Sequence, residues 1–491
     1  MGLVTGVGEP VDPAVATGRD PLGRAFGDEV HAAATSANTT SMRRARGRAV
    51  TFATIPNTAP NAAYDARVAA ETKHHPHRHN IVGFGYFSRL GPAVVTGAAD
   101  DDPSGIGTYS QVGAAFGFGL LWTALFTLPL AAAVQEMAAR LGLCTGHGLA
   151  ASIKLRFPRW VLYATVAVVA LANVFNIGAD LGSMAASMHL LVPLPYTLLI
   201  VAITVAMVGA EILVTYRVYA RVLRWLTASL AAYVAVLFVI DVDWTDVVRA
   251  TFVPTLRWDR PFLAALIAVL GTTISPYLFF WQASEEVEEE KANTGRARRG
   301  AAVRHIRAMR GDVVAGMGSA VLVMLSIMIA SATTLHAHGV TSVQTAQQAA
   351  RALEPVAGRF ASVLFTLGIV GTGSLAVPVL AGSTAYALAE AFGWREGLGK
   401  TFRQARGFYV VVAIAMLAGL AMDFAGLDPI HTLYLAAILN GLAAPPLILV
   451  MLILARNPDV LGRWTSKRLS TTLVAIAFAA MVVAPVAYVL S

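Results

Sequence analysis

The sequence predicts an all-α polytopic membrane protein of about eleven transmembrane helices, arranged as a 5+5 inverted repeat with helices 1 and 6 broken. Three observations predict it. Of 491 residues, 56% are hydrophobic and only 13% charged, far below the roughly 25% charged of an average soluble domain. The apolar residues are gathered into runs long enough to cross a bilayer at about 20 residues each. Two of those runs, five segments apart, carry a proline beside small or hydroxylated residues near their middle. Together these exclude a soluble multi-domain enzyme, and the lone Cys144 excludes an intramolecular disulfide or a cysteine-cluster metal site.

Residues 1–80 come first and have no sustained apolar period. They are rich in Ala, Gly, Thr and Arg and include the basic run Arg43-Arg44-Ala45-Arg46-Gly47-Arg48 and the tract His74-His75-Pro76-His77-Arg78-His79. This composition predicts a disordered basic cytoplasmic tail. It lacks the short apolar core of a secretory signal, so the first span belongs to the mature body. The histidines of a flexible tract have no enforced geometry for a metal.

Residues 81–491 form the predicted transporter domain, with spans near 88–110, 117–140, 160–188, 193–211, 219–240, 262–284, 312–335, 358–390, 407–424, 431–454 and 469–490. One repeat covers about 88–240, the second about 262–454, and 469–490 is an extra helix. Basic residues collect in the even-numbered loops: Lys154, Arg156 and Arg159; Arg217; seven Lys/Arg between Lys291 and Arg310; Arg395 to Arg406; and Arg456 to Arg468. The positive-inside rule then puts those loops and the N-terminus in the cytoplasm and Ser491 outside, in a bacterial-type inner membrane. The net charge of +8 reports this topology and calls for no nucleic acid. No obligatory protein partner is evident beyond the lipid bilayer.

The first span is interrupted by Asp100-Asp101-Asp102-Pro103-Ser104-Gly105-Ile106-Gly107. Proline removes a backbone donor and disfavours helix before it, and the glycines ease departure from the helix. Taken alone, the three aspartates fit either a surface turn or an intramembrane cation site. The sixth span supplies the second observation, Gly271-Thr272-Thr273-Ile274-Ser275-Pro276-Tyr277. Interrupted helices at matching positions of two halves point to a transporter's substrate site. Unwound carbonyls and carboxylates are the oxygen donors that a hard divalent cation takes.

At these residues the chain resembles the NRAMP family of divalent-metal transporters. The likeness spans about residues 85–455. It is carried by Gly91-Pro92 leading to Asp102-Pro103-Ser104-Gly105 where the family has Asp-Pro-Gly-Asn, and by Gly117-Phe-Gly-Leu-Leu-Trp122. Ala138-Ala-Arg-Leu-Gly-Leu-Cys-Thr-Gly146, Ala179-Asp180-Leu181, and Ser275-Pro276-Tyr277 in place of Met-Pro-His complete it. The resemblance implies a LeuT-like inverted repeat and a metal site between broken helices 1 and 6, formed by Asp102, Gly105, Thr272 through its carbonyl, Ser275 and Asp101. Asp100, Tyr277, Asp180 and Asn440 are further candidates for the site or for coupling.

The departures from the family pattern shape the expected ion. Gly105 replaces an asparagine ligand and offers only a carbonyl. Ser275 replaces a methionine whose thioether favours softer transition metals, so the site shifts toward hard cations. Mg²⁺ keeps several of its waters, which a wider oxygen-lined site accommodates. The pattern is similar to the NRAMP-related magnesium transporter branch, with Mg²⁺ or Mn²⁺ as transported substrate and no cofactor. Tyr277 and Gln282 stand where the family has histidines, and Ser183 stands where it has an acid. Weak or absent proton coupling is therefore expected, with Asp180 a remnant paired to a base such as Arg406.

Other features have plainer readings. Asn440 is expected to be a hydrogen-bonded helix-packing residue. The acidic run Glu285-Glu286-Val287-Glu288-Glu289-Glu290 is read as a solvated helix end, and the aromatics Tyr277, Phe279, Phe280 and Trp281 as packing. The alternatives are a proton-coupled Mn²⁺/Fe²⁺ importer and a sodium-coupled organic-solute transporter of the same fold. Adjacent aspartates argue against an anionic substrate. No Walker-type nucleotide loop and no intramembrane His/Cys cluster points to an enzyme.

Overall fold

The computed structural model describes residues 96–213 except 98, 230–294, 303–424, 426 and 428–491. The predicted tail 1–80 and the first half of the fifth span, 219–240, lie outside the described residues. Everything described is helix, turn or loop. Eight described helices are long and apolar enough to cross a membrane, and they correspond to predicted spans three, four and six to eleven. The second predicted span is a 24-residue helix, Trp122–Thr145, made less apolar by Gln135, Glu136 and Arg140 in its second half.

The first span breaks where the sequence says it should. Helical residues at 96–97 and 99–100 give way at Asp101 and Asp102, and a new helix, α1, runs Pro103–Phe116. Proline at the first helical position costs nothing, because its missing N–H would have no partner there. Asp102 is the N-cap, and its carboxylate takes up the Gly105 N–H.

We label the following helices α2 (Trp122–Thr145), α3 (Leu149–Arg156), α4 (Arg159–His189) and α5 (Tyr196–Leu213). α2 ends at Gly146, whose φ of 67° is the left-handed stop that glycine supplies. The fifth predicted span shows only the short α6, Ala231–Val236, among described residues, and a surface helix α7, Trp244–Phe252, follows it. The sixth span is two helices, α8 (Arg260–Thr273) and α9 (Pro276–Thr294), separated by Ile274 and Ser275. Pro276 again opens a helix. The Ser275 hydroxyl donates to the Gly271 carbonyl at 3.1 Å and the Thr272 carbonyl at 2.8 Å, satisfying acceptors that the end of α8 leaves open.

The remaining spans are α10 (Val303–Thr334), α11 (Ala361–Phe392), α12 (Arg406–Asp423), α13 (Pro429–Arg456) and α14 (Arg468–Leu490). α10 starts about nine residues before the predicted 312, because Arg304, Arg307 and Arg310 continue the helix beyond its apolar part. α11 stays continuous through Pro378.

Close packing brings the half-helices together. α1 lies against α10 and α13, and α8 against α13. A side-chain carbon at Gly271 would stand 2.1 Å from the Ala437 carbonyl and 2.3 Å from the Gly441 amide, so α8 and α13 touch backbone to backbone. Small residues permit this approach where lipid removes any hydrophobic drive for helix association. At the other end of α2, buried Glu136 accepts from Arg140 on its own helix, from Arg310 Nε of α10 at 2.8 Å and from Ser470 of α14 at 3.3 Å. Arg140 also donates to the Trp464 carbonyl at 3.2 Å. One carboxylate thus joins three helices.

Candidate metal site between the broken helices

Asp102 sits at the start of α1 with 1% of its surface exposed. Its Oδ1 accepts from the Gly105 amide at 2.8 Å and from the Ser104 hydroxyl at 2.6 Å. Its Oδ2 accepts from the Tyr277 hydroxyl of α9 at 3.3 Å, and the same hydroxyl lies 2.9 Å from the Ala99 carbonyl, at the end of the preceding half-helix. Ser104 Oγ stands 3.4 Å from Thr272 Oγ1 of α8. Both breaks therefore meet at one point.

Gly105 faces the same point. A carbon added there would lie 3.3 Å from the Tyr109 ring, 3.4 Å from the Asp100 carbonyl and 3.5 Å from Thr272 Oγ1. Thr272 was expected to act through its main chain. Its carbonyl accepts from Ser275, while its hydroxyl faces Ser104 and Gly105, so side chain and main chain are both directed at the break. Ser275 is held by that bond with its oxygen lone pairs still available.

Asp100 and Asp101 are buried beside Asp102, and Asp100 Oδ1 has no hydrogen-bond partner among the described residues. Asp180, on α4, is fully buried, near enough to Asp102 for their charges to interact and close to the Ser104 backbone amide at the start of α1. Among the described residues no Lys, Arg or His forms an ion pair with any of these four acids. Buried carboxylates without a counter-charge are costly. The polar groups that these bonds and close approaches bring to Asp102 and Gly105 are oxygen donors and backbone amides. No set of three or more His, Cys, Asp or Glu side chains has metal-holding geometry among the described residues. Any ion here is held by one or a few carboxylates with hydroxyls, carbonyls and water.

Several expectations need correction. Tyr277 is a bonding partner of Asp102 and more than packing, because α9 opens at Pro276 and its second residue lies beside the break. Asp180 is not paired to Arg406. Gly178 and Gly182 face Gly419 and Asp423 of α12, whereas Arg406 opens that helix roughly 20 Å away at about 1.5 Å per residue. Asn440 is fully buried on α13, but neither amide atom is hydrogen-bonded among the described residues. It is not the satisfied packing group expected, and no hydrogen bond ties it to Asp102.

The acidic run is only partly solvated. Glu286 is 6% exposed and accepts from Gln282 at 2.9 Å, and Tyr386 donates to Glu288 at 2.7 Å and lies 3.3 Å from Glu285. A helix turns successive residues by about 100°, so five glutamates in six positions cannot share one wet face. Sequence reasoning missed Ser104 and Tyr109 as neighbours of the site. The hydroxyl two positions after an N-cap aspartate was the available signal for Ser104. Tyr109 reaches Thr273 at 3.2 Å across the bundle, a contact with no local signal.

Comparisons with known proteins give the family and the fold. The profile of the Nramp family, described as natural resistance-associated macrophage protein-like, matches residues 93–491. The "Divalent metal cation transporter MntH" of Caldanaerobacter subterraneus subsp. tengcongensis is 26% identical over 76% of this chain and 85% of its own length. The MntH of Deinococcus radiodurans is 27% identical over 82% and 89% respectively. Among solved structures, a manganese transporter of Eremococcus coleocola superposes with a TM-score of 0.63 at 17% identity, covering 83% of this chain and 88% of that one. MHP1, a nucleobase-cation-symport-1 family transporter, superposes at 0.53 and 16% identity over 82% and 91%. These neighbours share the LeuT-type inverted-repeat architecture. With its family profile matched from before the first break to the last residue, the chain belongs to the Nramp family.

Proposed function

We propose that this chain is a secondary transporter that carries a hard divalent cation, Mg²⁺ first and Mn²⁺ close behind, into the cytoplasm by alternating access. The observation that carries the reading is the meeting of Asp102 with Ser104, Thr272 and Tyr277 at two helix breaks, with no cationic side chain among the described residues paired to the aspartates. Its curated relatives are named divalent metal cation transporters, which supports the class of cargo. In this reading Asp102 is the direct charge on the ion. The Asp100 and Thr272 carbonyls and the Ser275 hydroxyl complete an oxygen set, and the small Gly105 leaves room for retained water. Asp101 and Asp100 lower the electrostatic cost of bringing a doubly charged ion to mid-bundle. No step is covalent.

Weak or absent proton coupling follows from the surroundings of Asp180. Its neighbours along the same face of α4 are Asn173, Asn176 and Ser183, which do not titrate near neutral pH. The second reading, a proton-coupled transition-metal importer, is favoured by one observation: Asp180 itself is present and buried near Asp102.

Uptake of Mg²⁺ and Mn²⁺ into proteoliposomes holding wild type or Asp102→Ala, with a pH dye inside, tests the proposal. Wild type is expected to take up both ions without stoichiometric acidification, and Asp102→Ala to lose uptake. Full transport by the variant would overturn the site. Acidification that tracks uptake would overturn the uncoupled mechanism and leave the second reading.

A further inference from the structure

A trough unrelated to the metal site runs along α14, on the side where the loop before α8 reaches the bundle end. Its inner part is a cavity of ≈ 280 Å³ walled by α2, α8 and α14, with Phe126, Leu266, Leu270, Ile476 and Ala480 among its lining. It continues, through the shared Trp258, Val483 and Ala487, into a second cavity of ≈ 520 Å³ that reaches Leu490 and Ser491. From Ile476 to Leu490 the helix rises about 21 Å, enough for the roughly 15 Å hydrocarbon depth of one leaflet. The walls are apolar and open sideways, with Val483 57% and Phe126 47% exposed.

The rim is different. Trp122 and Trp258 stand there, and the Trp122 indole donates to the Thr255 carbonyl at 3.2 Å. Tryptophan at the mouth of an apolar slot marks the level where hydrocarbon meets headgroups. Arg257 lines the mouth, and the adjacent Arg260 is exposed. Asp259 Oδ2 accepts from Arg257 Nε at 2.8 Å while its Oδ1 caps α8 at the Phe262 amide, and the local charge of these three side chains is +1. A cationic rim above a leaflet-deep apolar slot is complementary to one molecule class present in every membrane, a phospholipid. We infer that the structure holds a phospholipid site here, with an acyl chain along Ile476 to Leu490 and the phosphate on Arg257. The chain's inner wall is the Leu263, Leu266 and Leu270 stripe of α8, one residue short of the Gly271-Thr272 pair at the metal site. The lipid therefore supports the helix half that carries Thr272, whatever ion is transported.

Native mass spectrometry of the full chain in mild detergent, titrated with phosphatidylglycerol, tests the site. Wild type is expected to retain one phospholipid per chain. Ala480→Trp and Ala487→Trp, which fill the trough at separate depths, are expected to lose it. Arg257→Gln is expected to weaken retention about fivefold, the equivalent of about 1 kcal/mol for one cation near a lipid surface. Val205→Trp, on the exposed face of α5 away from the trough, is expected to retain it. Retention at wild-type level by both tryptophan variants, or a wild type that carries detergent alone, overturns the site. Loss in the tryptophan variants with full retention by Arg257→Gln overturns the phosphate seat.

Discussion

Tyr277 Oη stands 2.9 Å from the Ala99 carbonyl and 3.3 Å from Asp102 Oδ2, so one phenolic hydrogen serves two acceptors on opposite sides of the first helix break. In the proposed function a cation on Asp102 competes with that hydrogen for Oδ2, and the hydroxyl is then free to commit to Ala99. The Asp102 carboxylate and the end of the preceding half-helix are coupled through a single group.

Tyr277→Phe removes the competitor. A typical net hydrogen bond contributes about 1 kcal/mol, so Mn²⁺ and Mg²⁺ should bind about fivefold more tightly by calorimetry, while proteoliposome turnover falls because Ala99 loses its partner. Weaker binding would show that the hydroxyl is itself a ligand.

Ser275 and Gly105 set the ion preference in this reading. Ser275→Met restores a thioether and should raise Mn²⁺ and Cd²⁺ uptake relative to Mg²⁺. Gly105→Asn adds an amide whose Cβ meets the Tyr109 ring at 3.3 Å, so that ring must give by a few tenths of an ångström to admit it. The double variant should shift selectivity further than either change alone in competition assays, and unchanged preference would remove both residues from the selectivity argument.

Glu136 and Arg310 separate a buried ionic interaction from an exposed one. Glu136→Ala leaves Arg140, whose side chain is 3% exposed, without its counter-charge, and removing one member of a buried pair costs about 3–5 kcal/mol. Arg310 is 40% exposed on the same carboxylate, and Arg310→Ala should cost under about 1 kcal/mol. Thermal unfolding in detergent should show a large drop for the first variant and a small one for the second.

Gly271→Val should be poorly tolerated. A Cβ there falls 2.1 Å from the Ala437 carbonyl, so α8 and α13 must separate. Overpacking of this kind costs about 1–3 kcal/mol or more. Because Thr272 is the next residue, ion affinity should fall along with the unfolding temperature. An unaltered affinity would mean the α8 end can shift without moving the site.

Glu396, in the loop between α11 and α12, gives a pH signature. Burial, with the nearby Glu390 charge, pushes its carboxyl up to about 8, against opposing effects of Lys291 and Lys400. The folded state then holds a proton that the unfolded chain releases near pH 4.3. Stability from this group is full below that value, declines as pH rises, and is lost by about pH 8. Glu396→Gln should flatten the fall in unfolding temperature between about pH 5 and 8.

The legible parts of this protein were those whose cause is local. Spans three, four and six to eleven follow from apolar length, and both breaks follow from Pro103 and Pro276 with their small neighbours, since proline acts on the turn it occupies. The helix stop before Pro103 was legible for the same reason, while Asp102 was singled out from its two neighbours by the family resemblance. Resemblance placed Gly105, Thr272 and Ser275 beside it.

Tertiary structure decided which of those groups meet. The bonds from Tyr277 to Asp102 and Ala99 and the approach of Ser104 to Thr272 join residues 168 to 178 positions apart. They depend on α8 lying against α13 at Gly271 and α1 against α10 and α13. Periodicity in a chain records which face of a helix is apolar, but in a bundle apolar on nearly every side it does not record the rotation and depth at which two helices dock. That rotation made Tyr277 a partner of the site, turned Glu286 inward, and left Asn440 without a hydrogen bond among the described residues. The local code sets where this chain can unwind, and backbone contact between small residues sets what the unwound ends face.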